Sequence, residues 1–136
     1  MDVAASRRAT VTVLTKNLVM MIALDLLGVL IAVPLARRRV PPNPLYGFRT
    51  PTTLRDEFVW YEANAYFGRG LLWACGIGAA AMLVLFATGN PADPFFPVKS
   101  VATIVLPLLV VTIATQRFAR SVRRDEIRHR AERLNR

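Results

Sequence analysis

Polar and apolar positions along this chain separate into three long apolar runs and the charged segments between and after them. Asn17 to Ala36 (NLVMMIALDLLGVLIAVPLA) carries one charge, Asp25, in about the twenty residues that a helix needs to cross a hydrocarbon core. Gly70 to Thr88 (GLLWACGIGAAAMLVLFAT) carries none. Ser100 to Gln116 (SVATIVLPLLVVTIATQ) is also uncharged, and it reaches spanning length when Val98 and Phe118 are counted with it. The pattern predicts an all-α membrane protein with transmembrane helices at about 17–36, 70–88 and 98–118, forming a single domain over 1–136. A cleavable signal peptide competes for the first run, because Arg7, Arg8 and Lys16 precede it. VPLA is a poor cleavage site, however, and Arg37, Arg38 and Arg39 form an immediate stop.

Composition then decides what the charge is for. Of 136 residues 54% are apolar, and 18 Lys+Arg stand against 9 Asp+Glu, for a net charge of +9. That excess would suit nucleic acid if it formed a soluble basic face. Here the arginines sit at the edges of apolar runs, where they act as topology signals and as contacts to anionic lipid: Arg37, Arg38 and Arg39 after the first run, and Arg117, Arg120, Arg123 and Arg124 after the third. A bilayer with anionic lipids is the expected partner, and nucleic acid is not. Three crossings put the termini on opposite sides. The N-terminus and the loop 89–99 hold 4 basic residues, whereas 37–69 and the tail 117–136 hold 14. The heavy side is expected in the cytoplasm, which leaves the N-terminus outside and the C-terminus inside at the inner (plasma) membrane. TGNPADPFFP, Thr88 to Pro97, is then the outer turn, with its aromatic pair at the interface and its prolines ending the second helix.

The segment between the first two runs is the most elaborate. Pro41, Pro42, Pro44 and Pro51 exclude regular helix and favour extended backbone, and Gly47 permits a tight turn. From Thr53 the pattern becomes helical. Thr53 is placed as an N-cap, Asp56 and Glu57 lie in the first turn, and Leu54, Phe58, Tyr61 and Ala65 recur on one face. The reading is an amphipathic helix over about 53–67, lying along the cytoplasmic interface and feeding into the second span. Trp60, Tyr61 and Tyr66 suit that depth.

Asn43 to Pro51 (NPLYGFRTP), followed by Trp60 to Asn64 (WYEAN) and a downstream glycine, resembles the SdpI family of small bacterial membrane proteins. That family combines N-P-x-Y-G-[IF]-R-T-P with W-x-x-A-N. The founding member is an immunity protein that protects a sporulating cell from its own secreted toxic peptide and helps to hold a cognate repressor at the membrane. It carries further membrane helices ahead of its signature region. The resemblance implies a non-enzymatic protein of that type and singles out Asn43, Pro44, Tyr46, Gly47, Arg49, Thr50, Pro51, Trp60 and Asn64.

Each candidate has a bland reading beside the functional one. Arg49 can hold loop carbonyls, a carboxylate such as Asp56 or Glu57, or a lipid phosphate in bidentate geometry; the plain alternative is a brace between the loop and one of those acids. Trp60 and Asn64, four apart, share a helix face and form either an anchor with an amide that cross-links the loop, or interfacial packing. Asp25, the one ionisable group well inside a span, is a protonatable or ligand-binding site, or a neutral acid bonded to Thr112, Thr115 or a carbonyl freed by Pro34 or Pro107. Gly70, Ala74 and Gly78, with Gly76 and Ala80 beside them, give small-xxx-small spacing, for packing inside the three-helix unit or for a homo-oligomer seam. Cys75 reads as a small buried hydrophobe without a disulfide partner, and His129 has no neighbour at ligand spacing, so no metal and no cofactor are expected. No H-E-x-x-H, G-x-S-x-G or P-loop occurs, which removes the basis for an enzyme of known mechanism. Three roles remain: an interaction protein that protects against or senses a membrane-active peptide, an accessory subunit of a larger membrane transporter or envelope-assembly complex, and, weakest, a transporter centred on Asp25.

Overall fold

The structure is a computed structural model and describes residues 3–90 and 93–135, with side chains omitted for 3–11, 13 and 14. Four helices follow in chain order: α1 (Val3–Ala36), α2 (Pro51–Leu54), α3 (Glu57–Thr88) and α4 (Phe96–Leu134). There is no strand among the described residues. Three of the helices are long and apolar enough to cross a membrane, within Thr15–Ala36, Glu57–Thr88 and Phe96–Leu134. The protein is an all-helical, multi-pass membrane protein.

The central helix is α3; α1 and α4 pack chiefly on it rather than on each other. Glycine makes the first of these contacts possible. A Cβ on Gly68 would lie 2.4 Å from the Ala36 nitrogen and 2.7 Å from the Ala32 carbonyl oxygen, so the two backbones touch there. Along α1 the residues at this seam are Met21, Asp25, Gly28, Ala32 and Leu35, spaced three and four apart like one face of a helix. On the other side of α3, Gly70 receives Val111, Gly78 receives the Thr103 carbonyl, and Tyr66 stacks on Phe118 at 4.4 Å. The large apolar residues that face away, among them Leu30, Trp73, Leu83 and Val110, are exposed as lipid-facing side chains must be.

Two helix ends depart from the sequence reading. The first helix begins at Val3 rather than near Asn17, because no glycine or proline interrupts residues 3–16. The separate interfacial helix over 53–67 is not found. Residues 57–67 are instead the opening three turns of the 32-residue α3, which at about 1.5 Å per residue is roughly 48 Å long and outreaches a hydrocarbon core of about 30 Å. Nothing stops the helix at Gly68 or Gly70, since both are held by close packing against neighbouring helices. The buried face is also different. Val59, Trp60, Ala63 and Asn64 are buried, while Leu54 and Phe58 of the expected apolar stripe are about half exposed. Nor is Thr53 the cap. Thr50 caps the short α2, and Asp56 caps α3 by accepting from the Phe58 and Val59 N–H groups at 3.0 and 3.3 Å.

At the far end α3 closes on Gly89, whose N–H donates to Leu85 at 2.7 Å, and Phe86 meets Phe96 edge to face across the turn. Only Phe95 of the aromatic pair points outward; Phe96 is buried by its helical position. Asp93 accepts from Lys99 at 2.5 Å and from the Phe95 N–H, which holds its carboxyl below the usual carboxylate range. Pro91 and the side chains of Arg7 and Arg8 lie outside the described part.

The tail does continue the last helix. At 39 residues α4 is roughly 58 Å long, and its final turns run beside the start of α3, where Arg130 pairs with Asp56 at 2.8 Å.

Candidate functional site

The first helix ends in a Schellman motif. The N–H groups of Arg38 and Arg39 donate to the Leu35 and Pro34 carbonyls at 3.0 Å each, and Arg38 takes the left-handed conformation (φ 53°) usually given to glycine. The strain is met by an ion pair, Arg38 to Glu62 at 2.6 Å, which ties the turn to α3. The chain is thereby turned back over the first turns of α3.

Residues 40–50 then fold onto that surface as a closed set of hydrogen bonds. Asn43 organises the bend: its side-chain oxygen accepts from the Leu45 and Tyr46 N–H groups at 2.9 and 2.7 Å, and its amide donates to the Pro41 and Tyr46 carbonyls at 2.8 and 3.1 Å. The Tyr46 hydroxyl donates to the Ile31 carbonyl on α1. Trp60, fully buried, donates its indole N–H to the Val40 carbonyl at 2.9 Å, and its ring packs with Leu35 and Val40. Asn64, also buried, accepts from the Phe48 N–H at 2.6 Å and donates to the Trp60 carbonyl at 3.0 Å. Thr53 seals the end, with its hydroxyl bonded to the Phe48 carbonyl and accepting from the Thr50 N–H.

Gly47 lies at the centre of this knot. Its φ of +112° is left-handed, and a Cβ there would come within 2.5 Å of the Asn64 side-chain oxygen and 3.2 Å of the Trp60 ring. Glycine is required twice over, by conformation and by space. Pro51 starts α2, where its missing N–H costs nothing. Pro44 is exposed and stiffens the bend.

Burial pushes the Tyr46 phenol above its ordinary value. A group raised on folding contributes stability that is whole below its unfolded pKa and lost as pH climbs through the folded one. We therefore expect wild-type protein to lose thermal stability above about pH 10, where tyrosine ordinarily ionises. Tyr46→Phe should show less of that loss, at a cost near neutrality of about 1 kcal/mol for the missing hydrogen bond. Melting curves across pH for the two proteins check this.

Arg49 stands apart from the knot. It is exposed, and its guanidinium pairs with no described residue. Of the two readings offered from sequence, the brace to Asp56 or Glu57 does not form; Asp56 is taken by Arg130. On the same bend Leu45, 90% accessible, is the most exposed large apolar residue among those described. Arg37, Arg39, Arg117, Arg120 and Arg124 are exposed and Arg123 is half-buried, all without a described acidic partner, whereas Arg38 is engaged with Glu62.

Asp25 lies in the seam between α1 and α3, near Cys75 and Gly78, and bonds to neither Thr112 nor Thr115, whose hydroxyls donate to Leu108 and Val111 of their own helix. The small residues of α3 are used within the chain: Gly68 meets α1, Gly70 and Gly78 meet α4, and Gly76 alone of these faces open space. No group of three or more His, Cys, Asp and Glu among the described residues is placed to hold a metal.

Among the participants in the knot that sequence reasoning missed are Ile31, Val40 and Phe48, which contribute backbone atoms, and Thr53, which was assigned to a cap. Residues 39–116, more than half of the chain, match the SdpI/YfhL protein family. No curated protein and no solved structure matches it.

Proposed function

The chain belongs to the SdpI/YfhL protein family, and on that premise we propose that it is a non-enzymatic membrane protein of the immunity type, which protects its host against, or senses, a membrane-active peptide. One observation carries this reading. Of the family's polar residues, Asn43, Tyr46, Thr50, Trp60 and Asn64 are bonded to loop backbone or to the adjacent helices, whereas Arg49 pairs with no described residue; the same stiffened bend exposes Leu45, which is not part of the family pattern. An exposed apolar residue and a free guanidinium on one stiffened bend suit a recognition surface, because little conformational entropy is lost when such a bend engages. It offers an apolar contact and a bidentate partner for a carboxylate. It does not pair a nucleophile with a base.

The basic asymmetry of 14 to 4 supports a cytoplasmic position for this surface, at the inner face of a plasma membrane, with the free arginines of α4 on anionic headgroups. A cysteine placed at Thr52 in a Cys75→Ala background should react with an impermeant thiol reagent only after permeabilisation, and one at Asn90 should react in intact cells. Reversal would put the bend outside, facing extracellular peptides directly.

The deciding experiment challenges a deletion strain with a panel of membrane-active peptides. Sensitivity to at least one class should rise and be restored by the wild-type gene. Leu45→Ser and Arg49→Ala proteins should insert normally yet fail to restore it. In a direct binding measurement Arg49→Ala should weaken the ligand about ten- to a hundredfold, the worth of a charge-assisted hydrogen bond. Unchanged sensitivity of the deletion strain across the panel would sink the proposal. The rival reading, an accessory subunit docking through the small residues of α3, has less to stand on, since α1 and α4 already cover Gly68, Gly70 and Gly78.

A further inference from the structure

Three features of the apolar interior meet at one point. On α1, Asp25 occupies a seam position about midway along the first span, where the neighbouring seam residues are Met21 and Gly28. On α4, Pro107 has no N–H, so the Thr103 carbonyl four residues earlier lacks its helical donor. Between them on α3 is Gly78. A Cβ at that position would lie 3.0 Å from the Thr103 carbonyl oxygen and 3.8 Å from Asp25 Oδ1. Glycine therefore leaves a small space that is faced by two oxygens, one from each flanking helix.

Two acceptors facing one another in hydrocarbon are unfavourable unless something between them donates. Neither apolar run opposite supplies a cation: 70–88 on α3 and 100–116 on α4 contain no charged residue. Among the described residues the titratable neighbour is the Cys75 thiol on α3, and the Thr103 hydroxyl is already committed to the Ser100 carbonyl at 2.7 Å. Asp25 itself makes no hydrogen bond or ion pair with a described residue. A proton held by the carboxyl would supply a donor stronger than that thiol.

We propose that this point is a proton site, in which the Asp25 carboxyl carries a proton and donates it, across the space Gly78 leaves, to the Thr103 carbonyl that Pro107 sets free. The site links α1 to α4, two helices that otherwise pack chiefly on α3. It also gives the two irregularities of the interior, an acid in α1 and a proline in α4, a single common purpose. Loss of the proton would set a carboxylate against a carbonyl and separate the outer helices.

Infrared difference spectroscopy of the full chain in lipid bilayers tests this. At neutral pH wild type should show a protonated-carboxyl stretch that is absent from Asp25→Asn. In Pro107→Ala the backbone N–H at 107 returns and takes the Thr103 carbonyl, so the stretch should move to the frequency of a more weakly bonded carboxyl. Both variants are conservative; should Pro107→Ala fail to assemble, Gly78→Ala fills the same space and must shift the band instead. A carboxylate signal from Asp25 at neutral pH, with or without a response to sodium, overturns the proposal. So does a protonated band that neither Pro107→Ala nor Gly78→Ala moves, because the proton would then be given to another acceptor.

Discussion

Alanine in place of Trp60 should remove about 3–5 kcal/mol of stability, the range for deleting a wholly buried aromatic side chain. Trp60 is 0% exposed and fills the space bounded by Leu35, Val40, Tyr46 and Phe67. Truncation empties that space and deprives the Val40 carbonyl of its indole donor. Phenylalanine separates the two losses: most of the volume remains and the hydrogen bond goes, so about 1–3 kcal/mol should be lost. Thermal unfolding or reversible unfolding in detergent measures both. Because the loop rests on this ring, Trp60→Ala should also abolish the peptide protection proposed above while the chain still reaches the membrane. A Trp60→Ala protein as stable as wild type would mean that the loop is not held where the structure places it.

The second large effect is expected at the crossing of α1 and α3. Gly68→Ala puts a methyl group against backbone, 2.4 Å from the Ala36 nitrogen, and backbone cannot swing aside as a side chain would. The helices must separate, at a cost of about 1–3 kcal/mol or more. Gly76 is the internal control, since a Cβ there meets nothing within 4 Å. Gly76→Ala should be neutral, or stabilising by up to about 1 kcal/mol through helix propensity. Paired melting temperatures decide the matter; equal losses at both positions would show that the effect is one of backbone flexibility and not of helix contact.

The three spans were legible because a bilayer imposes length and polarity on whatever crosses it, and the runs at 17–36, 70–88 and 100–116 meet both demands. Trp60 and Asn64 were legible as a pair, since a spacing of four places them on one face. Their targets were not, because the Val40 carbonyl and the Phe48 N–H are backbone groups in a proline-rich stretch that has no periodicity. The interfacial helix was misread for a related reason. Where one side of a helix meets protein and the other lipid or a headgroup, apolar residues occupy both, so the stripe through Leu54 and Phe58 did not mark the packed face. Sequence offers Asp56 as one possible partner for Arg49, seven residues away, yet Asp56 pairs with Arg130, 74 residues away. Nothing in a run of three arginines announces that the middle one, Arg38, will take a conformation usually left to glycine.

The central place of α3 also has a consequence for how the protein is made. Everything that closes the loop, from Ile31 and Leu35 through Asn43 and Tyr46 to Trp60 and Asn64, lies within the first half of the chain. The ribosome delivers these residues before any of α4 has emerged, and segments generally fold in the order of their synthesis. The hairpin of α1 and α3 can thus lock its loop while the opposite side of α3 is still bathed in lipid. The last helix then docks as a late addition, displacing lipid from Gly70 and Gly78 and laying its basic arm beside Asp56. A nascent chain arrested after Thr88 should already protect the loop from protease, and release of α4 should add only the Asp56 contact to that protection.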